Sequence, residues 1–258
     1  MGRKRGPSGF YSTELHHFGH HRRYNRLVGR DHAVLAGDFV GSWVLLSRLS
    51  GVSAGLSLGS EAAPSGNNGV VRQRQTMAEM LAKLAAAAGR GDAQAQFHLG
   101  QCYHTGAGGV APDPAIALEW YRRAAAAGHA RASLVLGTLH HQGLLGLPVG
   151  LAEAHRWYEA AAASEPTAAF NAGLLCRQGG WEGAPTAAGS DAGDAAAARW
   201  FRVAAEHGFA PAQYALGCAL EEGRGVDVDD AEAEAWLAKA AAQVRNVRKQ
   251  RSAKKCAA

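Results

Sequence analysis

The sequence predicts an all-α fold of stacked helix-turn-helix repeats, and three observations carry the prediction. A pattern of small residues, glycines and aromatic pairs recurs in four copies between residues 92 and 243. Within each copy the small positions fall on one face at the 3.6-residue period of a helix. The 47% hydrophobic content rests largely on alanine, 33 glycines stand beside it, and aromatics are only 7%, so the core must come from close backbone approach.

Charge divides the chain into three parts. Residues 77–243 hold 11 Lys/Arg and 18 Asp/Glu, a net −7, whereas residues 1–76 hold 10 and 4, a net +6, and residues 244–258 hold 6 and 0, again +6. An acidic body therefore carries two basic ends, a pattern that suits either solvated tails or contact with acidic surfaces, nucleic acid or anionic membrane.

The N-terminal extension, residues 1–76, is rich in histidine and arginine. It lacks the apolar stretch of a signal peptide behind its basic start. The most apolar early run, from Ala33, is interrupted by Asp38 and Arg48, which excludes a span of about 20 uncharged residues. In "HHFGHH", His16 with His20 and His17 with His21 share a side of a helix and offer metal-ligand spacing. Gly19 inside the cluster and "RRY" after it favour a contact arm over a metal site, and no metal or other cofactor is expected. Three readings of the extension stay open: a presequence for organelle import, with Arg22, Arg23, Arg26 and Arg30 and few acids; a permanent arm anchored by Phe18, Tyr24, Phe39 and Trp43; or disorder.

Residues 77–89, "MAEMLAKLAAAAG", read as a lone second helix, with Leu81 where later copies have tryptophan and Ala85 with Ala86 as the alanine pair. A half repeat of this kind caps a solenoid's open end.

The four repeats follow at about 92–128, 129–164, 165–208 and 209–243. Each is fixed by a glycine (Gly100, Gly137, Gly173, Gly217), with alanine five residues before it and a second glycine six after it. A glycine inside a helix costs about 1 kcal/mol, tolerable where a neighbour must come close. Further on stands a tryptophan (Trp120, Trp157, Trp200, Trp236), which the pattern assigns to the space above the small residues. Asp113 and Asp229 suit the N-cap of the second helix, whereas Gly150 and Gly193 stand there in the middle copies and predict weaker starts. The third copy has the longest turn and is expected to be the loosest.

First-helix positions away from the stripe are expected to line a groove: Gln94, His98 and Gln101, then Arg131, Val135 and Thr138, then Asn171 and Leu174. Trp181, in the long third turn, is either an anchor for a partner or a lid on its own repeat. The C-terminal tail, residues 244–258, adds basic residues to the last helix and lacks aromatics for base stacking.

A unit of about 36 residues reading A-x-A-x-x-x-L-G-x-x-Y-x-x-G-x-G-V and then D-x-x-x-A-x-x-W-Y-x-x-A-A-x-x-G resembles the Sel-one-like repeat, a relative of the tetratricopeptide repeat. The first copy, "GDAQAQFHLGQCYHTGAGGVAPDPAIALEWYRRAAAAG", matches nearly throughout. His140 and Cys176 replace the tyrosine of the first helix in the second and third copies, and Leu220 replaces it in the fourth. The resemblance implies a right-handed α-α superhelix that works as a protein-binding scaffold or adaptor and not as an enzyme. One branch of the family is disulfide-stapled and linked to cell-wall chemistry. Cys102, Cys176, Cys218 and Cys256 do not form its pairs, which disfavours a hydrolase-like role.

No phosphate loop, dinucleotide fingerprint or HExxH is present, and "GAGGV" at Gly106 belongs to the repeat turn. The expected function is protein binding in a reducing compartment, cytoplasm or mitochondrion. The alternative is a subunit of a large assembly, mitochondrial or RNA-containing, held by the basic ends.

Overall fold

The computed structural model describes residues 67–184 and 190–256. The N-terminal residues 1–66, including the histidine cluster and the proposed aromatic anchors, lie outside the described residues. Among the described residues the regular structure is helical, and strands are absent. The helices are α1 (Asn67–Gly89), α2 (Ala93–Thr105), α3 (Pro114–Ala126), α4 (Ala130–Gln142), α5 (Leu151–Ala161), α6 (Pro166–Gln178), α7 (Asp191–Glu206), α8 (Ala210–Glu222) and α9 (Asp230–Cys256). They fall into two compact units, α1–α5 and α6–α9. Four antiparallel pairs, α2/α3, α4/α5, α6/α7 and α8/α9, are the four repeats.

Local chemistry sets the helix ends. Asp92 caps α2 by accepting from the amides of Gln94 and Ala95, and Asp113 caps α3 by accepting from Ala115 and Ile116. Gly106, Gly143 and Gly223 close three first helices in the left-handed conformation, which lacks a steric penalty only for glycine. The turn is then fastened by one recurring bond: the amides of Asp113, Gly150 and Asp229 donate to the carbonyls of Tyr103, His140 and Leu220 at 2.8, 2.9 and 3.1 Å. In the third repeat the expected start at Gly193 is corrected. Ser190 Oγ accepts from the Gly193 amide and α7 begins at Asp191, so a proper cap lies upstream of the glycine.

The aromatic assignment is corrected by one residue. The side chain seated on each first-helix glycine is not the tryptophan but its successor. A Cβ at Gly100, Gly137, Gly173 or Gly217 would lie 2.8, 2.6, 2.7 or 2.7 Å from Tyr121, Tyr158, Phe201 or Leu237. These four side chains are buried, whereas Trp120, Trp157, Trp200 and Trp236 are half-buried. One residue is 100° of helix rotation, so only one member of the pair can face its own first helix. The indole packs at the margin instead: Trp120 lies against the cluster of Ala88, Ala95 and Leu99, and Trp157 against that of Phe97, Ala117 and Leu136.

Helix α1 departs from the repeat. It starts at Asn67, well ahead of the expected boundary at 77, and it meets α2 through Leu81, Leu84 and Ala88. Ala85 and Ala86, expected as the pair that admits the next copy, are exposed.

Candidate protein-binding groove

The α1–α2 packing leaves an open groove of about 440 Å³. Met80, Leu84 and Ala87 of α1 and Ala95 of α2 give it an apolar floor, and Lys83, Asp92, Gln94 and His98 stand at its edges. Met80 is 67% exposed, an unusual state for a large apolar side chain on a helix.

The polar edge is an ordered chain of hydrogen bonds along α2. His129 Nδ1 accepts from the Ala132 amide at 3.2 Å, so its Nε2 carries the proton donated to Gln94 Oε1 at 2.9 Å. Gln94 Nε2 donates to His98 Nε2 at 2.6 Å, and His98 Nδ1 donates to Gln101 Oε1 at 3.0 Å. Each imidazole thus accepts at one nitrogen and donates at the other. The His129 ring is also stacked on Phe97 at 4.6 Å between centroids, tying the edge to the core.

Of the residues expected to line a groove, Gln94, His98 and Gln101 are brought together, and Arg131 is exposed at the matching position of α4. Three are corrected. Val135 is 5% exposed and belongs to the cluster with Phe97 and Leu136, because an aliphatic side chain there extends the core. Thr138, 7% exposed, donates to the Leu134 carbonyl at 3.0 Å and accepts from Tyr158 Oη at 3.4 Å, so its hydroxyl is used internally. Asn171 is 3% exposed, with its amide nitrogen lacking a hydrogen-bond partner. Leu174 and Trp181 are half-buried and pack on the core of the second unit. Met80, Lys83, Leu84 and Ala87 are not among the expected groove residues, because the sequence assigns their helix to a cap. Their i, i+3, i+4 and i+7 spacing was the available signal.

Burial sets the titrations. It lowers the pKa of His104, His140 and His155 and brings His141 down to about 4. It raises the Cys102 thiol and pushes Cys218 up to about 12, the opposite of what activates a thiolate. Among the described residues no three His, Cys, Asp or Glu side chains are grouped as metal ligands, and no helix is long and apolar enough to cross a membrane. Among the described residues Cys102, Cys176 and Cys218 form no disulfide with one another.

Comparison with known proteins agrees with the geometry. The family model described as Sel1 repeat matches residues 93–129, 130–165, 166–209 and 210–243. Among curated proteins nothing matches. Among solved structures, the chain is similar to c5321, a protective antigen of uropathogenic Escherichia coli strains displaying an SLR fold. The identity is 36% and the TM-score 0.55, over 63% of this chain and 33% of that one. It is likewise similar to a Sel1 repeat protein from Oxalobacter formigenes, at 31% identity and a TM-score of 0.55, over 67% of this chain and 48% of that one. The chain therefore spans about a third and about half of these two proteins. With four contiguous repeat matches laid over four antiparallel helix pairs, the chain belongs to the Sel1 repeat family.

Proposed function

We propose that this protein is a non-enzymatic scaffold that docks a partner protein in the α1–α2 groove. The observation that carries the reading is the pairing of an apolar floor at Met80 and Leu84 with a hydrogen-bonded edge at Gln94 and His98, the latter held in turn by Gln101. An apolar centre beside fixed hydrogen-bonding groups holds a peptide or helix at a low entropic cost. Lys83 and Asp92 add opposite charges at the groove's edges, which supports a partner segment of defined orientation. Burial raises the Cys102 and Cys218 thiols and lowers His104, His140, His141 and His155, which supports a structural role for these groups.

Proximity labelling with the full chain and with Met80→Asp/Lys83→Glu, both exposed positions of the groove, tests the reading. Loss of a discrete set of labelled proteins from the double variant, with the thermal melt unchanged, is the expected result. An identical set from both chains sinks it. The second reading, attachment to a larger assembly by the basic ends, rests on the charge of +6 at each end of a body of −7. Removing residues 1–66 and 244–258 in the same experiment separates the two.

A further inference from the structure

The last helix runs on past its repeat. The second helices α3, α5 and α7 span 13, 11 and 16 residues, whereas α9 spans 27 and continues to Cys256. Its continuation beyond Gln243 is a rod of about 20 Å at 1.5 Å per residue. Residues 244–256 carry six Lys/Arg and no acid. Positions 245, 248, 249, 251 and 255 fall within an arc of about 160° around the helix axis, and 254 lies outside it. These basic positions therefore share one side of the helix.

We propose that this helical extension binds the backbone of double-stranded DNA. Its apolar content within 244–256 is limited to small residues, two valines and a cysteine, with no aromatic, methionine or leucine. That composition gives little area for a protein interface, whose core is apolar and depleted in lysine. It gives no anchors for a bilayer, which basic amphipathic helices grip with Trp, Phe or Leu. It also provides no ring on which the bases of a single strand could stack. Phosphate neutralisation remains, and it suits a helix of about 10–12 Å diameter entering a major groove about 12 Å wide. The major groove of duplex RNA is too narrow for such entry. The acidic body, net −7 over residues 77–243, repels the same phosphates and leaves contact to the basic ends, of which the extension is the helical one. This site is separate from the α1–α2 groove, and either can fail without the other.

The test is fluorescence anisotropy of a short labelled DNA duplex of mixed sequence with the full chain across a salt series. Neutralising five phosphates predicts a slope of log affinity on log salt of about −4, or a loss of about 10²–10³-fold between about 50 and 200 mM. Arg245→Gln, Arg248→Gln, Lys249→Gln, Arg251→Gln and Lys255→Gln together should flatten most of that slope, as should deletion of residues 244–258, which keeps the test sound if the substitutions disturb the helix. Replacing Arg22, Arg23, Arg26 and Arg30 by glutamine should leave it. An unchanged slope in the five-position variant overturns the proposal. So does equal or tighter binding of duplex RNA, anionic vesicles or polyglutamate.

Discussion

Gly137 and Tyr158 sit closer together than any side chain at 137 would allow: a Cβ there would lie 2.6 Å from both Cδ1 and Cε1 of the ring. The ring is buried, so it has nowhere to swing. Overpacking of this kind costs about 1–3 kcal/mol. Gly137→Ala should lose that amount in urea unfolding, and the loss should shrink in a Tyr158→Ala background, where the methyl has room. Additive losses would mean that the two residues do not interact.

The same geometry ranks the aromatic pair. Tyr121→Ala empties a buried space against Gly100 and should cost about 3–5 kcal/mol. Trp120→Ala removes a half-buried ring beside Arg123, whose guanidinium lies 4.7 Å from the indole centroid, and should cost less. A larger loss at 120 would restore the indole to the centre of the repeat.

Gly225 tests how far repeats rely on bare backbone. Its absent Cβ would fall 2.2 Å from the Ala195 nitrogen and the Asp194 carbonyl carbon, atoms that cannot rotate away. Gly108, the counterpart in the first repeat, has its nearest neighbour at 3.8 Å in the flexible end of Leu81. Both have positive φ, so alanine pays about 1–2 kcal/mol of conformational strain at either. Gly225→Ala should exceed Gly108→Ala by a further 1–3 kcal/mol or so in chemical denaturation. Equal costs would show that the α7 start can move.

A missing donor in the first repeat is visible from the fourth. There Gln243 Nε2 donates to the Gly208 carbonyl at 2.9 Å and to Gln213 Oε1 at 3.1 Å, while Gln213 itself donates to the Ala205 carbonyl. The matching glutamine, Gln96, donates to the Ala88 carbonyl in the same way, but its buried Oε1 has no partner. Ala127 stands where Gln243 does. Ala127→Gln should raise stability by about 1 kcal/mol, read as a higher melting temperature. A fall would mean that the two repeats differ in backbone position at that corner.

Acid should loosen the α1–α5 unit. His141 titrates near 4 in the folded chain against 6.5 in the unfolded chain, so between these values the unfolded state holds more protons. Stability is complete above pH 6.5 and falls as pH drops towards 4, by about 3 kcal/mol for this group. The lowered values of His104, His140 and His155 act in the same direction. His141→Asn should flatten the dependence of the urea midpoint on pH. A midpoint as steep as before would assign the effect to other groups.

What the sequence could and could not disclose follows from the kind of signal each feature leaves. Repetition exposes the four helix pairs, because glycines and alanines recur at fixed spacing, and the caps at Asp113 and Asp229 are local chemistry. The rotation of a helix by one residue leaves no mark when both candidates are aromatic, which is why Trp157 and Tyr158 exchange roles. Val135 and Thr138 were read as surface because first-helix exposure depends on neighbouring copies, a tertiary effect. Helix α1 was legible as a helix but not in its facing, since Leu81 and Leu84 are compatible with two rotations and only contact with α2 chooses between them.

The bonds from His129 through Gln94 and His98 to Gln101 all point one way. No single amide can turn over alone, because each reversal would set donor against donor or acceptor against acceptor at the next link. The row is anchored where the Ala132 amide donates to His129 Nδ1, so every group along it is held in one sense and a visitor meets Gln101 Oε1 as an acceptor. The edge is therefore a fixed template, presenting an arriving donor with the same acceptor each time and needing no rearrangement of its own.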